Sequence, residues 1–177
     1  MTDEKIIEWI RLGKHDKAFV KLYKGYPAVE KLVKSKGGTK EDARDVFQEA
    51  LIILCRKIKN DEFHLSAQLS TYLYSVCRFV WKDELQKRKV RKIDVSDLEK
   101  PEEDAHLKRE EKFEQAEKAL SKLGEKCREL LKMFYLRTQS MKNIAAKLGY
   151  SSEKSAKTQK YKCIERAKNH LMELQNL

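Results

Sequence analysis

The stretch TKEDARDVFQEALIILCRKIK, residues 39–59, decides the fold class. Thr39 offers a side-chain oxygen to the orphan amides of a helix start, and Glu41 and Asp42 place negative charge in its first turn. Ala43, Val46, Phe47, Ala50, Leu51, Leu54 and Ile58 then recur at i, i+3, i+4 and i+7, the period of an amphipathic α-helix. At 100° per residue the opposite face collects Asp45, Gln48, Glu49, Ile52 and Arg56, so Ile52 stands among charges, directly away from the apolar stripe. A single exposed Ile is ordinary. An apolar residue ringed by carboxylates is also suited to docking against a basic partner helix.

Outward from this helix the same period continues. Ile6, Ile7 and Ile10 predict a short helix ended by Gly13, and Ala18, Phe19, Leu22 and Tyr23 another that runs to Tyr26-Pro27. Val29, Leu32 and Val33 resume the pattern before Gly37-Gly38 breaks the chain. After the loop Asn60–His64, a long helix is expected from Ser66 to Lys92, with Leu69, Leu73, Val76, Cys77 and Val80 as its buried stripe. Ser75, Arg78, Phe79, Lys82, Gln86 and Lys89 fall on the far side, which runs into the basic end KRKVRK, residues 87–92. Such an end is usually a solvated helix terminus; here it extends a face carrying an aromatic and hydrogen-bonding side chains, as nucleic-acid surfaces do. Tyr72, Tyr74 and Trp81 lie near that face and fit a core edge equally well.

The charge is segmented. Residues 1–92 hold 21 basic and 13 acidic residues, 93–117 hold 4 and 10, and 118–177 hold 14 and 5, within a total formal charge of +11. An acidic strip beginning IDVSDLEKPEEDAH, residues 93–106, therefore joins two basic modules and reads as a linker. It serves either as a solvated spacer or as a strip that lies in a positively charged channel of a partner or imitates nucleic acid. The expected domains are 1–92, the linker 93–106, and 107–177.

The second module reads as four helices. The first runs from Leu107 to Leu123, and the next carries Cys127, Leu130, Leu131 and Phe134. Ser140 caps Met141 to Leu148, Gly149 ends it in the left-handed conformation, and Ser151 or Ser152 starts the last helix. The segment MKNIAAKLGYSS, residues 141–152, has helix-turn-helix character, because Ala145 leaves room for the second helix and Gly149 makes the turn. The helix that follows offers Lys154, Ser155, Lys157, Thr158, Gln159, Lys160, Tyr161 and Lys162 to base edges and phosphates.

Several classes recede on the same evidence. No apolar run reaches the ~20 residues of a membrane span. The opening MTDEKIIEWIRLGK is acidic and amphipathic, unlike a secretory signal. Neither the four histidines nor the four cysteines show metal-ligand spacing, so no metal and no cofactor is expected. Cys55, Cys77, Cys127 and Cys163 all lie in or beside apolar stripes and are expected to be free thiols acting as small hydrophobes in a reducing cytoplasm. There is no phosphate-cradling glycine loop and no paired acidic site, which leaves a nucleic-acid-modifying enzyme as the weakest class. A stand-alone regulator that binds duplex DNA as a dimer through the helix-turn-helix is the alternative to weigh.

Three motifs in order carry a resemblance that covers almost the whole chain. DARDVFQEALIIL (42–54), LSTYLYSVCRFVWK (69–82) and ALSKLGEKCR (119–128) resemble, in that order, conserved regions of the bacterial RNA polymerase sigma factors of the small extracytoplasmic-function type. The resemblance implies an all-α fold of two small helical domains, the second ending in a helix-turn-helix. It implies a non-enzymatic, cytoplasmic subunit that binds the polymerase core, recognises promoter DNA and assists its melting. Asp45, Gln48, Glu49, Ile52 and Arg56 would contact the core polymerase. Asn60, Phe63, Arg78, Phe79, Lys82 and Lys89 would meet the −10 element, with the Asn60–His64 loop holding a flipped-out base. Lys154, Ser155, Lys157, Thr158, Lys160, Tyr161 and Lys162 would meet the −35 element. An anti-sigma partner is implied as well. The chain departs from the family pattern at Phe79, where members often carry Asn, and at Tyr72, which replaces a Trp.

Overall fold

The computed structural model describes residues 2–60, 63, 65, 67–90 and 104–175 of the 177. Among these the secondary structure is helical, with no strand, as the sequence predicts. The chain divides into two compact units, Met1–Glu102 and Glu103–Leu177.

In the first unit, α1 (Asp3–Arg11) and α2 (His15–Leu22) precede a short 3-10 turn at Tyr23–Gly25. Then come α3 (Tyr26–Ser35), α4 (Lys40–Ile58) and α5 (Leu69–Val90). The start of α4 is a capping box: the Asp42 backbone amide donates to Thr39 Oγ1 over 3.1 Å, and the Thr39 amide donates to Asp42 Oδ2 over 2.8 Å. The predicted stripe of α4 is buried, joined by Ile53, and α4 packs against α3 and α5, whose own buried residues include Leu32, Val33, Leu69, Cys77 and Trp81. Tyr23 and Tyr26 meet Phe47 edge-on, with ring centroids 5.0 and 5.5 Å away. Gly38 is required by a close approach, since a Cβ there would stand 2.6 Å from Trp81 Cζ2.

The helix α5 starts at Leu69, three residues beyond the expected Ser66, and the reason is a long-range cap. The Leu69 amide donates to Asp3 Oδ2 over 2.8 Å, so a carboxylate from α1 satisfies an orphan donor and faces the positive end of the α5 dipole.

A second tie joins α4 to α5. Arg88 donates through Nη1 (3.2 Å) and Nη2 to the two carboxylate oxygens of Asp42, and through Nε to Glu84 Oε1 over 3.0 Å. Its guanidinium also stacks 5.1 Å from the Trp81 ring centre. The guanidinium holds the Asp42 carboxyl below its ordinary value, with the Thr39 amide and hydroxyl adding to the effect and partial burial opposing it. A carboxylate with a depressed folded-state pKa stabilises above the ordinary value of 3.8 and loses that contribution as pH falls through the lower folded value. Arg88→Ala is therefore expected to cost the first unit ~1–3 kcal/mol at neutral pH. It should also flatten the part of the acid limb that Asp42 contributes below about pH 4. Urea melts of wild type and variant at several pH values check both.

The second unit comprises α6 (Asp104–Ser121), α7 (Glu125–Tyr135), α8 (Met141–Leu148) and α9 (Glu153–Gln175). α6 begins at Asp104, ahead of the expected Leu107, and most of the strip read as a linker, 93–106, lies outside the described residues. The core gathers Leu123, Leu130, Leu131, Met133 and Phe134 with Met141, Ile144, Ala145 and Ala156. Ser140 Oγ accepts the Asn143 amide over 3.2 Å, and of the two serines considered for α9, Ser152 is the cap, its Oγ accepting the Ser155 amide over 3.0 Å. Gly149 has φ 68° and ψ 36°, the left-handed residue that ends α8.

The expectation of four free thiols is corrected. Cys127 in α7 and Cys163 in α9 form a disulfide, with Cα atoms 5.6 Å apart, and only Cys55 and Cys77 are free. The two cysteines do occupy apolar stripes, but the stripes face each other, which periodicity within one helix cannot reveal.

Candidate functional site

Three surfaces carry the residues singled out from sequence. On α4, Asp45, Gln48, Glu49, Ile52 and Arg56 are all exposed, because the stripe opposite them is consumed by the core of the first unit. Ile52 is 44% exposed, an aliphatic side chain held out among two carboxylates and an amide.

On α5 the outcome is mixed. Lys82 and Lys89 are exposed and Phe79 is half-buried, while Arg78 is only 4% exposed, which corrects its expected place on the far side. Arg78 lies four residues from Tyr74 and three from Trp81, and both aromatics are core residues, 6% and 1% exposed. The buried arc of α5 is thus wider than the aliphatic stripe alone indicated, and Val80, expected inside it, is half-buried. The signal that identifies the arc is the spacing of Tyr74, Cys77, Arg78 and Trp81 over two turns.

In the connection between α4 and α5, Asn60 is half-buried and its carbonyl accepts the Phe63 amide over 3.0 Å. Phe63 is buried, its ring edge-on to Tyr72 at 5.7 Å, so it forms part of the support for that connection. Asp61, Glu62 and His64 lie outside the described residues. Arg88, from the basic run read as a nucleic-acid surface, is committed to Asp42 and Glu84, while Lys89 stays at the surface.

On α9, Lys154, Thr158, Tyr161 and Lys162 are exposed along one face, and Tyr161 is 66% exposed. Ser155, Lys157 and Lys160 are half-buried beside it. Lys157 pairs with Glu153 over 2.9 Å, the Thr158 hydroxyl donates to the Lys154 carbonyl over 3.0 Å, and the Lys160 ammonium lies 4.0 Å from the Phe134 ring centre. Those pairs orient the cations along the helix without neutralising the face, since Lys154 and Lys162 project between them. Such an array suits a polyanion far better than a small neutral ligand.

At the start of α7 a cleft of about 410 Å³ is lined by Lys126, Cys127, Tyr150, Gln159 and Arg166, among others. No local sequence pattern marks it, because its residues come from three separate stretches of chain. No group of three or more His, Cys, Asp or Glu suited to a metal ion occurs among the described residues, and no helix there is long and apolar enough to cross a membrane.

Residues 22–91, from the end of α2 through α5, match the family Sigma-70 region 2. No curated protein matches the chain significantly.

Proposed function

We propose that this chain, whose residues 22–91 match the Sigma-70 region 2 family, is a sigma factor of the small extracytoplasmic-function type, acting with RNA polymerase in transcription initiation. The observation that carries the reading is the family match over the helices that bear the exposed Ile52 face. In this reading the first unit docks onto the core polymerase through Asp45, Gln48, Glu49, Ile52 and Arg56 of α4. Phe79, Lys82 and Lys89 of α5 follow the −10 element, with Arg78 bracing the helix from beneath. Melting is assisted by capture of an unstacked base beside Asn60, over the support that Phe63 supplies.

The second unit is a helix-turn-helix made by α8 and α9. Lys154, Thr158, Tyr161 and Lys162 face the −35 element, flanked by Ser155, Lys157 and Lys160. The subunit works in the bacterial cytoplasm, contributes no catalytic group of its own, and is held in check by an anti-sigma partner. The energy for strand separation comes from polymerase binding.

The test is transcription reconstituted from the full-length protein, core polymerase and a library of promoter fragments. The expected result is start sites that share two spaced elements and depend on the added subunit. Lys82→Ala and Lys162→Ala are expected to lower this transcription several-fold, most at low salt, because each removes one phosphate contact and about one unit of salt slope, so the deficit narrows as salt rises. Co-purification of both variants with the polymerase should be unchanged, since neither residue is on α4. Binding of duplex DNA by a dimer, with no affinity for polymerase, would replace this reading with the stand-alone regulator.

A further inference from the structure

We propose that Cys127 and Cys163 form a thiol–disulfide exchange site whose reaction partners are small, carboxylate-bearing disulfides and thiols. Cys127 is the third residue of α7, within the turn whose backbone amides lack helical partners and whose dipole favours an anion. The Arg166 guanidinium lies 4.0 Å from Cys127 Sγ, and the Gln159 side-chain amide lies 4.0 Å from Cys127 Sγ and 3.8 Å from Cys163 Sγ. A helix start, a guanidinium and an amide donor together are the surroundings in which a thiolate becomes both stable and reactive.

Access is provided on one side. Cys127 lines the 410 Å³ cleft, whereas Cys163 is fully buried and does not line it. The cleft has the volume of a small-molecule site, and its two cations, Lys126 and Arg166, outnumber the one carboxylate, Glu125. Neither of the other two thiols lines the cleft. Burial raises the pKa of the half-buried Cys55, with Lys59 opposing it, and burial pushes Cys77 up to about 12, so both thiolates are disfavoured. A protein that works beside RNA polymerase meets reducing conditions, where a disulfide that persists is usually one that opens and closes.

The chemistry balances with a small disulfide, RSSR, as the oxidant. The Cys127 thiolate attacks one sulfur of RSSR, forming Cys127–S–S–R and releasing one thiolate. Cys163 then loses its proton and attacks Cys127 Sγ, closing the protein disulfide and releasing the second thiolate. Two electrons pass from the protein sulfurs to RSSR, which leaves as two thiols. Excess thiol runs the sequence backwards.

The experiment uses the reduced full-length protein and oxidised glutathione as the probe, quenched in acid and mapped by peptide mass spectrometry. It needs neither DNA nor polymerase, so its outcome is separate from the promoter reading. In Cys163→Ser, a mixed disulfide is expected at Cys127 at least tenfold faster than at Cys163 in Cys127→Ser, and tenfold faster than at Cys55 in either. Wild type should close Cys127–Cys163 with two thiols released per bond. Arg166→Ala, at an exposed position, should keep the fold and slow the first step several-fold, so it tests the chemistry even where a Ser variant folds poorly. Equal rates at Cys127, Cys163 and Cys55 would overturn the proposal. So would a wild-type bond that stays closed in excess dithiothreitol under native conditions.

Discussion

Ile52→Asp is expected to abolish stoichiometric co-purification with core RNA polymerase while leaving the protein folded. Ile52 is 44% exposed and is not among the buried residues of the first unit, so the substitution removes little internal packing. It shares the exposed face with Asp45, Gln48, Glu49 and Arg56, so an aspartate adds a third carboxylate where an apolar anchor stood. At the centre of an interface such an anchor is fully desolvated, and a charge introduced there either stays solvated and holds the surfaces apart or is buried at high cost. A loss of about 3 kcal/mol, on the order of 100-fold in Kd, is the expected effect. Thermal unfolding followed by circular dichroism should match wild type within about 0.5 kcal/mol. Binding to polymerase at wild-type strength would remove Ile52 from the docking face and with it the functional reason offered for its exposure.

Reduction of the Cys127–Cys163 bond is expected to have a comparably large effect on stability, confined to the second unit. The bond joins positions 36 apart in sequence, and closing a loop of that length restricts the unfolded chain by about 3–4 kcal/mol in the chain-entropy account. The unit that holds it is small, Glu103–Leu177, and its buried side chains are few, so the bond supplies a large share of its margin. For a domain of this size a loss of about 3 kcal/mol lowers the melting temperature by roughly 15 °C. Scanning calorimetry with and without a phosphine reductant measures it: one transition should move and the transition of the first unit should not. An unmoved second transition would mean that the helices hold α7 and α9 together without the bond. Within α9 the bond lies one residue beyond Lys162, so reduction also loosens the segment proposed to face DNA.

Much of the fold is legible along the chain because helical periodicity is a local property. The caps at Thr39, Ser140 and Ser152 and the turn at Gly149 follow from side-chain oxygens and a missing Cβ acting within four residues of themselves. The exposed row of α4 was legible for the same reason: one complete apolar stripe leaves the opposite face no neighbour but solvent or a partner.

α5 shows where this reading stops. Aliphatic spacing indicated Leu69, Leu73, Val76 and Cys77 correctly, yet the burial of Arg78 and Phe63 came from Tyr74, Trp81 and Tyr72, aromatics that suit either side of a helix. The basic run at the end of α5 misled in a related way, since charge alone does not distinguish Lys89 at the surface from Arg88 held by Asp42.

Taken by itself, the sequence determined the helices, most of their starts and stops, and the solvent-facing row with Ile52, because propensity, capping and the 3.6-residue period act over a few residues. Only the tertiary structure decided which side chains become partners across long separations. Asp3 caps Leu69, Arg88 is held by Asp42, and Cys127 reaches Cys163 beside a cleft drawn from three stretches of chain. Those pairings depend on how whole helices dock, and docking is set by the summed burial of many side chains, which no local pattern records.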